Sequence, residues 1–93
     1  PPLEGTDRAS FPVAALDFPL TFRSRDPGDR IRLVGGSRKV KKLLLESRIP
    51  LAERERVPVL VDVSGRVLWV SGVARTSEMA VEAGETMRIR IEQ

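Results

Sequence analysis

The sequence predicts a small single α+β domain, in which a mixed or antiparallel sheet of about five to six short strands packs with two helices. Its 93 residues are enough for one domain with a modest core. Several short stretches alternate apolar and polar residues, which is typical of half-buried strands. One stretch repeats apolar residues at helical spacing among basic residues, which predicts one main basic helix beside a second, short one.

The N-terminal segment, residues 1–17, is predicted to be a linker or an edge segment, with the folded domain over residues 18–93. The chain begins Pro-Pro-Leu-Glu-Gly without an initiator Met. We therefore expect a piece of a longer protein. Residues 11–16 are apolar and fit a short edge strand, because Pro12 cannot donate a hydrogen bond to a central ladder.

Two short alternating stretches follow. In residues 18–23, Phe18, Leu20 and Phe22 point to one side, which predicts a half-buried strand. Residues 30–33 alternate again and place Arg30 and Arg32 on one face. The turn between these stretches is therefore expected to join two strands.

That turn and the loop after residue 33 contain the residues expected to shape the backbone. Pro27 fixes φ and Gly28 tolerates a positive φ, so the pair can form a type II turn. Asp29 can then accept hydrogen bonds from backbone N–H groups or pair with an Arg. Gly35 and Gly36 either turn the chain or allow a close approach of the backbone to another group.

The main helix is predicted over residues 38–47, with Ser37 as its N-cap. Val40, Leu43, Leu44 and Ser47 share one stripe, and burial in the core explains it. The opposite face carries Arg38, Lys39 and Lys42, with Lys41 at its flank. Basic residues beside free N–H groups would form an anion site; the alternative is an ordinary solvated helix.

The second half of the chain is predicted to be mostly strand. Pro50 is expected at the first position of a short helix that runs through residues 51–56. Residues 57–63 and 66–70 should form a hairpin, in which Trp69 is either a core anchor or a base-stacking ring. Residues 76–84 lack a clear period and are interpreted as a loop. Residues 86–92 alternate as a closing strand, with Met87, Ile89 and Ile91 inward.

Positive charge is concentrated in one part of the chain. Residues 23–56 contain 11 Lys and Arg against 5 Asp and Glu, whereas the remainder contains 5 against 8, within totals of 16 and 13. Such an asymmetry indicates a polyanionic partner, either nucleic acid or an anionic membrane. A membrane is disfavoured because the basic helix is short and its apolar side lacks Trp and Phe.

The composition excludes several kinds of chemistry for this chain. With no His and no Cys, a catalytic triad or a zinc site cannot be built from it. It contains no phosphate-binding glycine loop and no dinucleotide fingerprint. We predict no catalytic residue and no metal ligand here. Aromatic residues are only 4%, which disfavours single-strand binding by stacking and favours recognition of the backbone of a folded or duplex RNA.

An ordered set of residues resembles the C-terminal domain of tRNA(Ile)-lysidine synthetase. The set contains Arg-x-x-Gly-Asp-Arg, a glycine and a Lys-Lys helix, then Ile-Pro, Pro-Val-Leu-Val-Asp and a Trp-Val-x-Gly strand. It spans roughly residues 18–76. The matching positions are Arg25, Gly28, Asp29, Arg30, Gly35, Lys39, Lys41, Lys42, Ile49, Pro50, Arg54, Arg56, Pro58, Asp62, Trp69, Gly72 and Arg75.

With no Cys in the sequence, a cytoplasmic protein is the default expectation. The resemblance implies a parent enzyme that uses ATP to join lysine to the wobble cytidine of a minor isoleucine tRNA. ATP and Mg²⁺ would bind in an N-terminal domain through a Ser-Gly-Gly-x-Asp-Ser loop. That loop does not occur in this sequence, so no cofactor is expected here and the chain alone should be inactive. The implied C-terminal domain is an α+β unit that helps to hold the body or acceptor end of the tRNA.

Candidate RNA-binding residues come from two sources. The resemblance supplies Arg25, Arg30, Lys39, Lys41, Lys42 and Arg54, whereas charge alone adds Arg23, Arg32, Arg38, Arg48 and Arg56. Pro27, Gly28, Asp29, Gly35 and Gly36 are expected to shape the turns. The alternative is a protein–protein or oligomerisation module within the same or another RNA-processing enzyme. The basic face would then meet an acidic surface, such as another domain of the enzyme, and the exposed edges of strands 18–23 and 86–92 would be natural pairing sites.

Overall fold

A computed structural model describes residues 8–77 and 86–90 of the chain. These residues form eight strands and two α-helices, so the α+β class is confirmed, although the strands are more numerous than predicted and several are shorter. The elements are β1 (Arg8–Pro12), a 3-10 turn (Val13–Ala15), β2 (Thr21–Arg23), β3 (Arg30–Leu33), β4 (Gly36–Lys39), α1 (Val40–Glu46), α2 (Leu51–Arg54), β5 (Val59–Val61), β6 (Val67–Val70), β7 (Ala74–Arg75) and β8 (Thr86–Arg90).

The strands within the described ranges form three small sheets rather than the one sheet expected. Four strands pair in the order β2-β5-β6-β7, while β3 pairs with β4 and β1 pairs with β8. Every one of these pairings is antiparallel. The turn at residues 26–29 therefore connects strands of two different sheets, because β3 folds back on β4 instead of on β2.

The two central strands of the four-stranded sheet, β5 and β6, are buried between two apolar clusters. One cluster joins β5 and β6 to the β3–β4 hairpin and α1, through Ile31, Val40, Leu43, Leu44, Val59, Val61, Val67 and Val70. The other joins the sheet to β1 and the segment after it, through Ala9, Phe11, Leu16, Leu60, Leu68 and Trp69. Phe11 and Leu16 thus contribute to the core, whereas the domain boundary at residue 18 stays a prediction.

The main helix begins at Val40, two residues later than predicted, and Ser37 is not its N-cap. Ser37 and its neighbours continue β4, where Arg38 lies opposite Ile31 and Lys39 lies opposite Arg30. Lys39 precedes the helix with extended backbone angles and no side-chain cap. The hairpin ladder thus outweighs the capping preference of Ser37, and the anion site expected at the helix start stays a prediction.

The turns differ from the prediction in one detail. The Asp29 N–H donates to the Asp26 carbonyl at 3.0 Å, so Pro27 and Gly28 are the central residues as expected. Gly28 lacks a positive φ, however, and the turn is therefore not type II. Gly35 and Gly36, with φ of 95° and 131°, close the β3–β4 hairpin.

The aromatic rings divide into buried and exposed ones. Trp69 and Phe11 are 1% and 0% exposed, so Trp69 is a core anchor and offers no face to a nucleobase. Phe18 and Phe22 remain 49% and 42% exposed, against the prediction of a half-buried stripe, because β2 starts only at Thr21 and forms the edge of its sheet. The rings of Phe22 and Trp69 contact each other edge to face, with 6.0 Å between their centroids.

The remaining elements follow the prediction with small shifts. Pro50 is the N-cap of α2 instead of its first residue, and α2 ends at Arg54. The β5–β6 hairpin is confirmed, as is the inward side of β8, where Met87 and Ile89 pack against the second cluster. The loop predicted over residues 76–84 lies mostly outside the described residues, as does Ile91. Within the described part, no helix is both long and apolar enough to cross a bilayer.

Candidate RNA-binding surface

One face of the β3–β4 hairpin is polar and basic. Residues directly opposite each other in an antiparallel pair share a face, and so do alternate residues along a strand. Arg30 lies opposite Lys39, and Arg32 lies opposite Ser37, so these four residues form what we call the hairpin outer face. Arg30 Nε donates to Ser37 Oγ at 2.9 Å across it. Ile31, on the other face, is buried.

Helix α1 continues from this hairpin and presents two lysines. Val40, Leu43 and Leu44 are its buried residues, so the predicted apolar stripe is confirmed except for Ser47, which is exposed. Lys41 and Lys42 are both exposed. Because Lys39 directly precedes the helix, the hairpin outer face and these two lysines adjoin along the chain.

Five of the eleven candidate cations have partners inside the chain. Arg23 forms a two-pronged ion pair with Asp29, at 2.7 and 3.0 Å. Arg25 and Arg38 pair with Glu55 and Glu46, at 3.0 and 2.7 Å. The other two donate to neutral oxygens: Arg30 to Ser37, and Arg54 to the carbonyl of Ile49 at 2.8 Å. RNA contact by these five residues stays a prediction, but their side chains already have a structural role.

The other six candidates are exposed and have no hydrogen bond or ion pair from their side chains to any residue in the described ranges. We call them the unpaired cations: Arg32, Lys39, Lys41, Lys42, Arg48 and Arg56. Four of the six lie on the hairpin outer face and the first turn of α1. Arg48 follows the end of α1 with a φ of 58°, a conformation that favours glycine. An exposed cation without an internal partner is available to an external anion.

Asp29 is the central acceptor beside this surface. Its Oδ2 also accepts the backbone N–H of Asp26 at 2.8 Å. The hydrogen bonds from Arg23 lower the pKa of Asp29, and they outweigh the opposing effect of burial. The same pair raises the pKa of Arg23. Both roles foreseen for Asp29, as an acceptor for backbone N–H groups and as a partner of an Arg, are confirmed.

A second carboxylate closes the β5–β6 hairpin. Asp62 is buried and accepts hydrogen bonds from Ser64 and Arg66, through both backbone and side-chain donors. Burial alone would raise its pKa, but the hydrogen bonds from Ser64 and Arg66 together lower the pKa. Sequence reasoning found Asp62 only as part of the resemblance. The buried role of Asp62 could have been inferred from the sequence Asp-x-Ser-Gly-Arg, whose Ser-Gly marks a turn beside an acceptor.

Ser37 lies beside the basic residues of the hairpin outer face, whereas the sequence predicted it to be the N-cap of the main helix. A Gly-Gly pair between two alternating stretches is a hairpin signal, and it would have put Ser37 on a strand opposite Arg32. No group of three or more His, Cys, Asp or Glu in the described ranges could hold a metal ion.

The fold and its charges define a small antiparallel α+β domain with a basic hairpin and helix. A family model described as the TilS substrate C-terminal domain matches residues 20–91, and the chain belongs to that family.

Individual proteins show the same relationship. The chain is similar to the tRNA(Ile)-lysidine synthase of Exiguobacterium sibiricum, with 51% identity over 61 residues that cover 66% of this chain and 15% of that protein. For the tRNA(Ile)-lysidine synthase of Geobacillus kaustophilus the identity is 36% over 90 residues, 95% of this chain and 19% of that one. The chain thus spans a fifth or less of these relatives.

A solved structure supports the fold. The chain is similar to the crystal structure of a TilS C-terminal domain with a TM-score of 0.80 and 31% identity. The similarity covers 100% of this chain and 77% of that one. The α+β fold, with its small antiparallel sheets and two helices, is therefore that of the family.

Proposed function

We propose that this chain is the tRNA-binding accessory domain of an ATP-dependent tRNA(Ile)-lysidine synthetase. The parent enzyme would join lysine to the wobble cytidine of a minor isoleucine tRNA in the cytoplasm, and this domain would hold the tRNA body or acceptor end. The family match and the names of the relatives support the parent's identity. The adenylation chemistry, with ATP and Mg²⁺, would belong to another domain of the parent.

The observation that carries the RNA-binding role is the set of unpaired cations. Arg32, Lys39, Lys41 and Lys42 are exposed on one hairpin and the adjoining helix turn, and no acid in residues 8–77 or 86–90 pairs with them. Phosphate contacts by Lys and Arg release condensed counterions, so binding of this kind weakens steeply as salt rises. Such contacts position an RNA by its backbone without reading its bases.

Salt-dependent binding of a minor isoleucine tRNA tests this role. The wild-type chain is compared with a triple variant in which Lys39, Lys41 and Lys42 are changed to Ala. We expect the affinity to fall, and the slope of log affinity against log salt to decrease by roughly 0.9 for each phosphate contact removed. Lys42→Ala and Arg88→Ala remove one exposed charge each, and only the first should lower the slope. A triple variant with wild-type affinity and slope would contradict the proposal.

A protein-binding module is the second candidate, and the exposed aromatic residues of the edge strand favour it. Phe18 and Phe22 are about half exposed beside β2, whose outer edge pairs with no described strand. Such an edge can accept a strand from another domain or from a second copy. Sedimentation without RNA tests this: self-association that Phe22→Ser abolishes would support it, whereas a monomer at all concentrations would exclude a homodimer.

A further inference from the structure

Asp29 joins three separate parts of the chain. Its carboxylate accepts two hydrogen bonds from Arg23, at the end of β2, and one from the backbone N–H of Asp26 in the turn. Its main-chain carbonyl accepts the N–H of Val40 at 3.0 Å. One residue thus connects the edge of the four-stranded sheet to the first residue of α1.

Asp29 directly precedes β3 and lies beside the point where β4 ends and α1 begins. The next residue, Arg30, lies opposite Lys39, and Val40 follows Lys39 directly. The hydrogen bond from the Val40 N–H to the Asp29 carbonyl therefore continues the β3–β4 ladder by one more residue pair, up to the start of α1. Because β2 belongs to a different sheet, the Arg23–Asp29 pair is a side-chain link between that sheet and the junction of the hairpin with the helix, beside the apolar packing of Ile31 and Val40.

The unpaired cations lie on both sides of this junction. Lys39 precedes it, Lys41 and Lys42 follow it, and Arg32 lies further along the hairpin outer face. Simultaneous phosphate contacts require these ammonium and guanidinium groups to keep a fixed spacing, since preorganised groups lose less freedom on binding. A hairpin free to tilt against the helix would lose that spacing without losing any charge.

We propose that Asp29 is a positioning residue for RNA binding, which fixes the hairpin outer face relative to Lys41 and Lys42. This inference rests on the proposed function, and it assigns to a carboxylate a favourable part in binding a polyanion. Simple electrostatics predicts the opposite, because removal of a negative charge should strengthen attraction to RNA. The sign of the effect therefore separates a positioning role from a purely electrostatic one.

The test compares two variants of equal charge in the complete chain. Asp29→Asn and Asp26→Asn each remove one negative charge from the same turn, but Asp26 is 70% exposed and lies 3.6 Å from Arg23. For Asp29→Asn we expect tRNA affinity to fall by about threefold to tenfold and the salt slope to decrease by about one contact. Asp26→Asn should bind as tightly as the wild type, or more tightly, with an unchanged slope.

A merely structural role would give a different result. Global destabilisation lowers the fraction of folded protein but leaves the salt slope of the folded fraction unchanged, so unfolding curves are recorded beside the binding data. Arg23→Lys provides a charge-neutral companion that disrupts the two-pronged pair and should lower affinity and slope in the same way. If Asp29→Asn does not fold, the affinity and salt slope of Arg23→Lys test the positioning role instead.

Hydrogen exchange without RNA provides an independent measurement. Faster exchange of the Val40 amide is expected in Asp29→Asn but not in Asp26→Asn. If Asp29→Asn binds tRNA as tightly as Asp26→Asn with the same slope, the positioning role is overturned while the proposed function stands. If the wild-type chain shows no salt-dependent tRNA binding, the proposed function itself fails, and exchange at Val40 then shows only whether Asp29 holds the junction.

Discussion

Arg25 and Glu55 form an ion pair that joins two turns 30 residues apart in the sequence, with Nη2 donating to Oε1 at 3.0 Å. The Arg25 side chain is only 14% exposed, whereas that of Glu55 is 63% exposed. Arg25 precedes the turn that contains Asp29, and Glu55 follows the end of α2. Arg25, which the family resemblance places among the RNA contacts, is therefore largely enclosed by the protein.

Replacement of Arg25 should reduce stability more than RNA affinity. Arg25→Ala removes a buried aliphatic stem of three methylene groups, which should lower the free energy of unfolding by about 1–2 kcal/mol. The ion pair adds little, since Glu55 is well solvated. Urea unfolding and tRNA binding measure the two effects. Arg56→Ala, at an exposed and unpaired position, should leave stability unchanged; equal stability of the two variants would contradict this role for Arg25.

Asp62 should be the carboxylate most important for stability. Asp62→Ala leaves the backbone N–H groups of Ser64 and Arg66 without their acceptor in a partly buried turn. Loss of these charge-assisted hydrogen bonds should lower the free energy of unfolding by about 2–4 kcal/mol. Asp17→Ala is the matched control, since Asp17 is 67% exposed and only approaches Arg66 at 3.9 Å. A loss of stability no larger than that of the control would disprove the role.

Acid should destabilise the domain through two carboxylates. The pKa of Asp29 and that of Asp62 are both lowered in the folded state, by hydrogen bonds to their charged forms. A lowered pKa stabilises the fold above the unfolded pKa of about 3.9, and this stability is lost as the pH falls through the folded pKa. The free energy of unfolding should therefore decrease below about pH 5 and flatten only at stronger acid.

Thermal unfolding across this pH range tests the expectation. Asp29→Asn and Asp62→Asn should each reduce the dependence on acid, because the substituted side chain no longer titrates. Asp26→Asn, at an exposed position, serves as the control. Between pH 6 and 8 the stability should vary little, since the chain contains no His. An unfolding temperature that stays constant from pH 6 to pH 3 would contradict the prediction.

The backbone conformation of Arg48 is expected to reduce the stability of the fold. Its φ of 58° lies in the left-handed region, which costs a non-glycine residue about 1 kcal/mol or more. Arg48→Gly should therefore raise the free energy of unfolding by about 0.5 kcal/mol, after the added freedom of glycine in the unfolded chain is allowed for. The same change should weaken tRNA binding, because it removes an unpaired cation.

A matched substitution separates these two effects. Arg56 is also exposed and unpaired, but it does not have a positive φ. Arg56→Gly should lower the free energy of unfolding, and like Arg48→Gly it removes one positive charge. Thermal unfolding of both variants measures the effect on stability, and tRNA titration at one salt concentration measures the effect on binding. A loss of stability in Arg48→Gly equal to that in Arg56→Gly would show that the backbone angle at residue 48 imposes no strain.

The elements predicted correctly are those with a strong local signal. The apolar stripe of α1 and the β5–β6 hairpin around Ser64 and Gly65 follow from spacing and turn chemistry within one short stretch of chain each. The predicted start of α1 was wrong. Ser37 is a good N-cap, but it lies in β4, and the pairing of β4 with β3 prevails over its capping preference. Phe22 was expected to be more buried because alternation alone does not show that β2 is an edge strand.

The α+β class, the family and the concentration of positive charge over residues 23–56 can all be read from the amino-acid sequence. Each depends on residue type and order, which need no coordinates. Which cations remain available to an external anion depends instead on how the chain folds. Arg23 and Arg25 pair with acids that lie 6 and 30 residues away, and Lys41 and Lys42 pair with none in the described ranges. An ion pair depends on distance in space, which the order of charges along a chain does not specify.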